Sequence, residues 1–209
     1  MALSLCNTTT NEHGRELIEH GTVLFPVACY DDDLIKKSVP WHWHDELEAV
    51  IVSEGTALIA AGTKKYTVKQ GEGIFINAGI LHAAWSMKCS VCHLHSITFH
   101  PRLIGGSIDS IFWHNYIQPL LTNPIVKHIH LDSSEAWHKK ATHAIESAWN
   151  SCANEPFGYE FQVRSSLSEL ILHLSAYHPV ISRQPSEKVL RNSNRLKLML
   201  QFIQDHYPD

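Results

Sequence analysis

The sequence predicts a mainly β fold, a sandwich or closed barrel, followed by a C-terminal α-helical part. Three observations carry that prediction. Between Thr22 and Phe99, apolar runs of strand length alternate with glycine punctuation. Nothing in that region repeats its apolar residues at helical spacing. After about residue 105 the apolar spacing changes to threes and fours, the pattern of amphipathic helices.

The strands are read in order as "TVLFPVACY", "LEAVIVSEG", "TALIAAG", "KKYTVKQGEG", "IFINAGIL", "HAAWSM" and "SVCHLHSITF". Segments this short and regular fit a β-sandwich or barrel. Gly55, Gly62, Gly71, Gly73 and Gly79 stand between them, where a tight reversal or a positive φ is needed. Residues 107–121, "SIDSIFWHNYIQPLL", read as a short helix limited by Pro119. In "LDSSEAWHKKATHAIESAWNSCANE" the expected N-cap is Asp132 with Glu135 at N3. Trp137, Ala141, Ala144, Ile145, Ala148 and Cys152 then share one face. After Pro156-Phe157-Gly158 a second helix carries Val163, Leu167, Leu170, Ile171, Leu174 and Tyr177 until Pro179 stops it.

Such a helical hairpin either covers the β core or lends apolar surface to a second copy of the chain, and periodicity alone does not name the partner. Residues 179–194 are polar and proline-punctuated, as in a linker. Beyond them "RLKLMLQFIQDHYPD" places Leu196, Met199, Leu200, Ile203 and Tyr207 on one stripe. A helix that short is marginal in water alone, so it either folds back on the β domain across the linker or belongs to a domain extending past the sequence in hand, and the second is the expectation.

Composition sets outer limits. With 44% hydrophobic and 18% charged residues in 209, the chain can bury one substantial core. Apolar runs such as Ala57 to Ala61 are far short of the ~20 residues of a membrane span. The start, "MALSLCNTTTNEHG", has neither the basic nor the apolar region of a secretory signal. The expectation is a cytoplasmic protein without a membrane partner. Cys6, Cys29, Cys89, Cys92 and Cys152 fit reduced thiols better than a disulfide framework, and Cys92 reads as a small buried hydrophobe. A net charge of −4 without a Lys/Arg cluster gives this segment no electrostatic footprint for nucleic acid.

Among sixteen histidines, only a convergent group matters. His42 and His44 are two apart and emerge on one face of a strand, and Glu48 shares their parity. His82 opens another strand. Three imidazoles and a carboxylate suit a divalent transition metal: Zn, Ni, Fe or Mn. The same four residues can instead line a pocket for an organic molecule with no ion, and both readings stay open here. Trp41, Trp85 and Phe75 are the candidate aromatic contacts, which favours a sugar-like molecule whose C–H faces pack on flat rings. Trp43, of opposite parity to the histidines, is expected to pack outward. No serine nucleophile turn or phosphate-cradling glycine loop is present in the sequence, so catalysis, if any, would be metal-based.

The arrangement of His42, His44, Glu48 and Gly55 resembles the first motif of cupins. Gly71, Gly79 and His82 resemble the second, with Asn77 where proline is usual and Ser86 where asparagine is usual. The resemblance implies a cupin double-stranded β-helix, a jelly-roll-like barrel with an internal pocket, followed by a helical hairpin. "WHWHDELEAVIVSEG" and "YTVKQGEGIFINAGILH" are further similar to the sensor domains of AraC-type transcriptional regulators. That similarity implies a sensor domain over residues 1–130, a dimerising hairpin over 131–178, a linker over 179–194, and at 195–209 the first helix of a helix-turn-helix unit. It also implies a small-molecule effector, a homodimer, and DNA contacts through the missing C-terminal domain. The rival is a metal-dependent cupin enzyme, an oxygenase or isomerase, built on the same four residues. An enzyme has no use for the linker and terminal helix, and the second motif is imperfect, so sensing without catalysis leads.

Overall fold

The computed structural model describes residues 3–4, 8–87, 90–123 and 125–177, together with positions 198, 199 and 202. The strands are β1 (Leu3–Ser4), β2 (Val27–Asp33), β3 (Val39–His42), β4 (Leu47–Ala61), β5 (Lys64–Lys69), β6 (Gly73–Ile76), β7 (His82–Ser86), β8 (Cys92–Phe99) and β9 (His128–Leu131). One sheet runs β1-β2-β8-β4-β6-β9. A second joins β3, β7, β4 and β5. Every pairing is antiparallel except β1 with β2.

The two sheets share β4, which corrects the reading of "LEAVIVSEG" and "TALIAAG" as separate strands. Leu47 to Val52 pair with β6 and β8, whereas Thr56 to Ala61 pair with β5 and β7. The change of partner falls at Gly55, beside a register shift between Val52 and Glu54. Gly55 has φ +80°, and a Cβ there would lie 2.1 Å from the carbonyl oxygen of Val91. The glycine bends one strand from one sheet into the other where a reversal was expected. Two further boundaries differ: β2 starts at Val27 rather than Thr22, and the four-residue β9 was not foreseen.

Alternation along β4 explains why its first half reads as unbroken apolar sequence. Leu47, Ala49 and Ile51, with Phe75, Ile97 and Phe99, face the helices. Val50 and Val52, with Ile59, Ile74, Ile76 and Leu94, fill the space between the sheets. A strand covered on both faces needs apolar residues at every position. Glu48 shares the parity of Val50, so the register carries a carboxylate into the barrel interior.

The helices are α1 (Arg102–Gly105), a π-helical turn (Trp113–Ile117) running into α2 (Gln118–Thr122), and the hairpin α3 (Ala136–Asn154) and α4 (Tyr159–Tyr177). Pro119 falls just after the π-helical turn, within one continuous helical run over 111–122, and does not end the helix there as the sequence suggested. The expected N-cap is corrected: Glu135 precedes α3 and makes no side-chain cap bond. Asp132 instead accepts hydrogen bonds from the backbone N and hydroxyl of Ser134 (3.1 and 2.6 Å) and contacts His138 Nδ1 at 2.9 Å. Its carboxylate is spent on an Asx-type turn before the helix begins.

The predicted faces of the hairpin are buried, with Trp137, Ala141, Ile145, Ala148, Val163, Leu167 and Leu170 in one core with β2, β4 and β8. Trp149 Nε1 of α3 donates to the carbonyl oxygen of Tyr30 on β2 at 2.8 Å. At the far end Tyr177 is half exposed yet stacks on Trp137, with centroids 4.9 Å apart and planes 9° apart. Cys29, Cys92 and Cys152 are buried thiols, and Cys92 Sγ donates to the carbonyl oxygen of Thr56 at 3.3 Å. The linker at 179–194, most of the segment 195–209, Cys6 and Cys89 lie outside the described residues. Among the described residues no helix is long and apolar enough to cross a membrane.

Candidate metal and ligand site

β3 ends at His42, and the chain beyond it turns His44 back toward the same interior. Pairing of β3 with β7 sets His42 opposite His82, their rings 4.1 Å apart. Glu48 comes from the other sheet-half of the barrel, on β4. All four side chains are buried, and their ligating atoms lie within 4.8 Å of one another. The spacing of residues 42, 44, 48 and 82 thus brings together the group foreseen from the sequence.

Each imidazole is anchored alike. His42 Nδ1 lies 2.9 Å from the carbonyl oxygen of Pro40, His44 Nδ1 3.2 Å from that of Glu46, and His82 Nδ1 2.8 Å from that of Ile80. A carbonyl can only accept, so each Nδ1 carries the proton and each Nε2 is left toward the interior. This is the tautomer that metal-ligating histidines adopt, held by an outer acceptor that also fixes the ring. His82 Nε2 is buried and makes no hydrogen bond, although Glu48 Oε2 is 2.7 Å away. His44 Nε2 lies 3.4 Å from the same oxygen. Three inward-turned Nε2 atoms and one carboxylate oxygen fit the donor set of a divalent transition metal.

The electrostatics are those of a charged group in a dry place. Burial opposes ionisation of Glu48, but the attraction of His82 and the contacts with His44 and His82 outweigh it and hold the carboxyl well below its usual range. Burial likewise works against a proton on His82, yet Glu48 raises it above the ordinary histidine value. His42 goes the other way, to about 4, through burial and the neighbouring charge of His82.

The cavity, about 40 Å³, takes in more than the foreseen group: Glu16, His20, Tyr30, Asp32, Ser96 and Thr98 also line it. His20 Nδ1 is 2.7 Å from the hydroxyl of Tyr30 and its Nε2 is 3.1 Å from Glu16 Oε2. Glu16 and His20 come from an irregular strap, residues 8–20, clipped to the barrel by backbone bonds around Trp43. Glu16 N donates to Trp43 O at 2.9 Å, and Trp43 N donates to Gly14 O at 3.0 Å. Arg15 also pairs with Asp45 at 2.6 Å. No periodicity marks such a segment; the only signal was a Glu and a His four apart.

The aromatic candidates are placed elsewhere. Trp41 and Trp85 meet edge to face, 5.7 Å apart, on the side of β3 and β7 away from the cavity. Phe75 is fully buried in the core shared with the helices, and its neighbour Ile76 takes the cavity wall. Trp43 packs outward as expected, donating from Nε1 to the carbonyl oxygen of His13 at 2.9 Å.

Comparison with known proteins places this geometry in a family. Residues 24–149 match the AraC-like ligand binding domain. The uncharacterized HTH-type transcriptional regulator YdeC of Bacillus subtilis (strain 168) is 28% identical over 204 residues, covering 96% of this chain and 68% of that protein. The chain therefore spans about two thirds of the length of this curated relative. Among solved structures, an apo ToxT variant from Vibrio cholerae strain SCE256 aligns with a TM-score of 0.49 at 10% identity, over 82% of this chain and 64% of that one. A cupin-2 domain protein from Shewanella frigidimarina aligns with a TM-score of 0.29 at 27% identity, over 35% and 69% respectively. The match over residues 24–149, more than half of the chain and most of its barrel, establishes that the chain belongs to the AraC-like ligand-binding domain family.

Proposed function

We propose that the chain is the sensing part of a cytoplasmic transcriptional regulator whose cavity holds a divalent transition metal on His42, His44, Glu48 and His82. The remaining space takes a small hydroxyl-bearing effector. The observation that carries the reading is the triple anchoring of Nδ1 to backbone carbonyls, which commits three Nε2 atoms and one carboxylate to a common point. Tyr30, Ser96, Thr98 and Asp32 in the wall supply the polar contacts that a sugar-like molecule requires. The support from stacking tryptophans falls away with their placement outside the cavity. A bound metal would supply Lewis-acid polarisation of an effector oxygen.

Tyr30 links the cavity to the hairpin. Its hydroxyl meets His20 inside the barrel, and its carbonyl oxygen accepts from Trp149 of α3. An effector that prefers one placement of this strand would shift the hairpin and whatever follows it. The name of the Bacillus relative, a helix-turn-helix regulator, supports DNA as the output, reached through a domain beyond this chain. The outer face of α4, with Phe161 80% and Leu172 51% exposed, supports a homodimer through the hairpin. The same donor set would serve an oxygenase or isomerase; membership of a ligand-binding family favours sensing.

The test uses the full-length protein and its own promoter DNA. Dissociation constants measured with Zn²⁺ loaded and after chelation should differ by roughly tenfold or more, a coupling of about 1.4 kcal/mol. Equal constants would reject a sensory role for the metal-loaded cavity.

A further inference from the structure

We propose that this cavity is built for two divalent cations, the second held by Glu16, His20 and His44. The inference rests on the metal reading of the first group and adds a site that takes His44 over from it when both are filled. Its basis is the way two carboxylates are distributed among four imidazoles. Glu48 Oε2 lies 2.7 Å from His82 Nε2 and 3.4 Å from His44 Nε2. Glu16 Oε2 lies 3.1 Å from His20 Nε2 and 3.8 Å from His42 Nε2. Each carboxylate therefore has two Nε2 atoms within 4 Å, and His44 stands between the two carboxylates, belonging to the group of Glu48 and to that of Glu16 and His20.

With His44 passed from the first group to the second, the six side chains form two sets of two histidines and one carboxylate: His42, His82 and Glu48, and His20, His44 and Glu16. The ligating atoms of the second set also lie within 4.8 Å of one another. Two-histidine-one-carboxylate sets with open positions are a recognised donor arrangement for divalent transition metals. The sets adjoin, since the His44 ring is 5.1 Å from His20 and 5.7 Å from His42. Two ions some 3.5–4 Å apart, bridged by carboxylates, is the ordinary geometry of paired metal centres.

Burial and anchoring match those of the first set. The side chains of His20 and Glu16 are 3% and 6% exposed. His20 Nδ1 is engaged by the Tyr30 hydroxyl at 2.7 Å, which can accept its proton and leave Nε2 to the interior. A hydrogen bond to His20 satisfies only part of the lone-pair capacity of the Glu16 carboxylate, and a cation between the two would use the rest. The second ion would also tie the strap of residues 8–20 to the barrel.

The experiment is a metal count on the whole chain, stripped with chelator, reloaded with Zn²⁺ and freed of unbound ion by gel filtration. Two ions per chain are expected in the wild type, and one in Glu16→Gln and in His20→Gln. One ion in the wild type overturns the second site while leaving the first intact. No retained ion removes both. Two ions retained in both variants place the second ion elsewhere and overturn the assignment. A readout needing no variant is electron paramagnetic resonance of the Co²⁺-loaded wild type. Spin-coupled cobalt is expected at full loading, and magnetically isolated cobalt overturns the paired arrangement.

Discussion

His82 Nε2 lies 2.7 Å from the Glu48 carboxylate and yet forms no hydrogen bond with it. The backbone carbonyl of Ile80 holds the ring from behind, 2.8 Å from its Nδ1. Without a cation the buried carboxylate depends on the protonated ring of His82 for its compensation. That dependence gives the metal a direct effect on stability.

Saturating Zn²⁺ is expected to raise the thermal midpoint. At a hundredfold excess over its dissociation constant the gain is about 2.7 kcal/mol, roughly 5–10 °C for a chain of this size. Glu48→Gln should lose most of that shift. Calorimetry with and without chelator measures it, and an equal shift in the variant would show that the ion sits elsewhere.

Proton release provides a second check. Without a metal, His82 holds a proton above the ordinary histidine value because Glu48 faces it. A metal must displace that proton from Nε2, so binding near neutral pH should liberate protons and weaken as the pH falls. Zn²⁺ titrations in two buffers of different ionisation enthalpy report the number released. In His82→Gln it should fall by the contribution of this ring.

The foreseen group owed its legibility to locality. The two-residue interval from His42 to His44 and the four to Glu48 fix parity on neighbouring chain, whatever the rest of the fold does. His82 was a candidate by its place at the start of a strand, but its meeting with His42 depends on the pairing of β3 with β7, which local spacing does not fix. Phe75 was misplaced by a single residue: the register of β6 against Glu48 puts Ile76 inside and Phe75 outside. Glu16 and His20 carried no pattern at all, since their strap is positioned by backbone bonds to Trp43 rather than by its own periodicity.

Gly55→Ala should be among the most destabilising single changes, by more than about 2 kcal/mol. The residue has φ +80° and its Cβ would enter the Val91 carbonyl. Urea unfolding gives the figure. A loss within a few tenths of a kcal/mol would mean that the bend in β4 does not depend on glycine.

His128 makes stability depend on pH in a window set by its own shift. Burial, with Lys64 and Lys127 nearby, lowers it to about 4, and its Nδ1 meets the Tyr66 hydroxyl at 2.9 Å. Between the ordinary value near 6.5 and about 4, the unfolded chain binds the proton and the folded one does not, so stability falls as pH drops through that range. Allowing for partial exposure, the advantage of the wild type over His128→Asn should shrink by about 1–2 kcal/mol between pH 7 and pH 4.5. Urea midpoints at both pH values decide it, and a constant advantage would remove this ring from the account.

Trp149→Phe keeps an aromatic ring beside His95, stacked 3.6 Å away, but deletes the donor to the Tyr30 carbonyl. The expected loss is about 1–2 kcal/mol. Hydrogen exchange should also show a weaker response of α3 to Zn²⁺ than in the wild type. An undiminished response would mean that the cavity and hairpin communicate by another route.

The most direct measurement is isothermal titration of the chelator-stripped chain with Zn²⁺, in the wild type and in His82→Gln. Saturable binding, weakened by roughly a hundredfold or more when this imidazole is replaced, is the predicted result. Absence of saturable binding, or identical affinity in the two proteins, would contradict the claim that these inward-facing nitrogens are metal ligands.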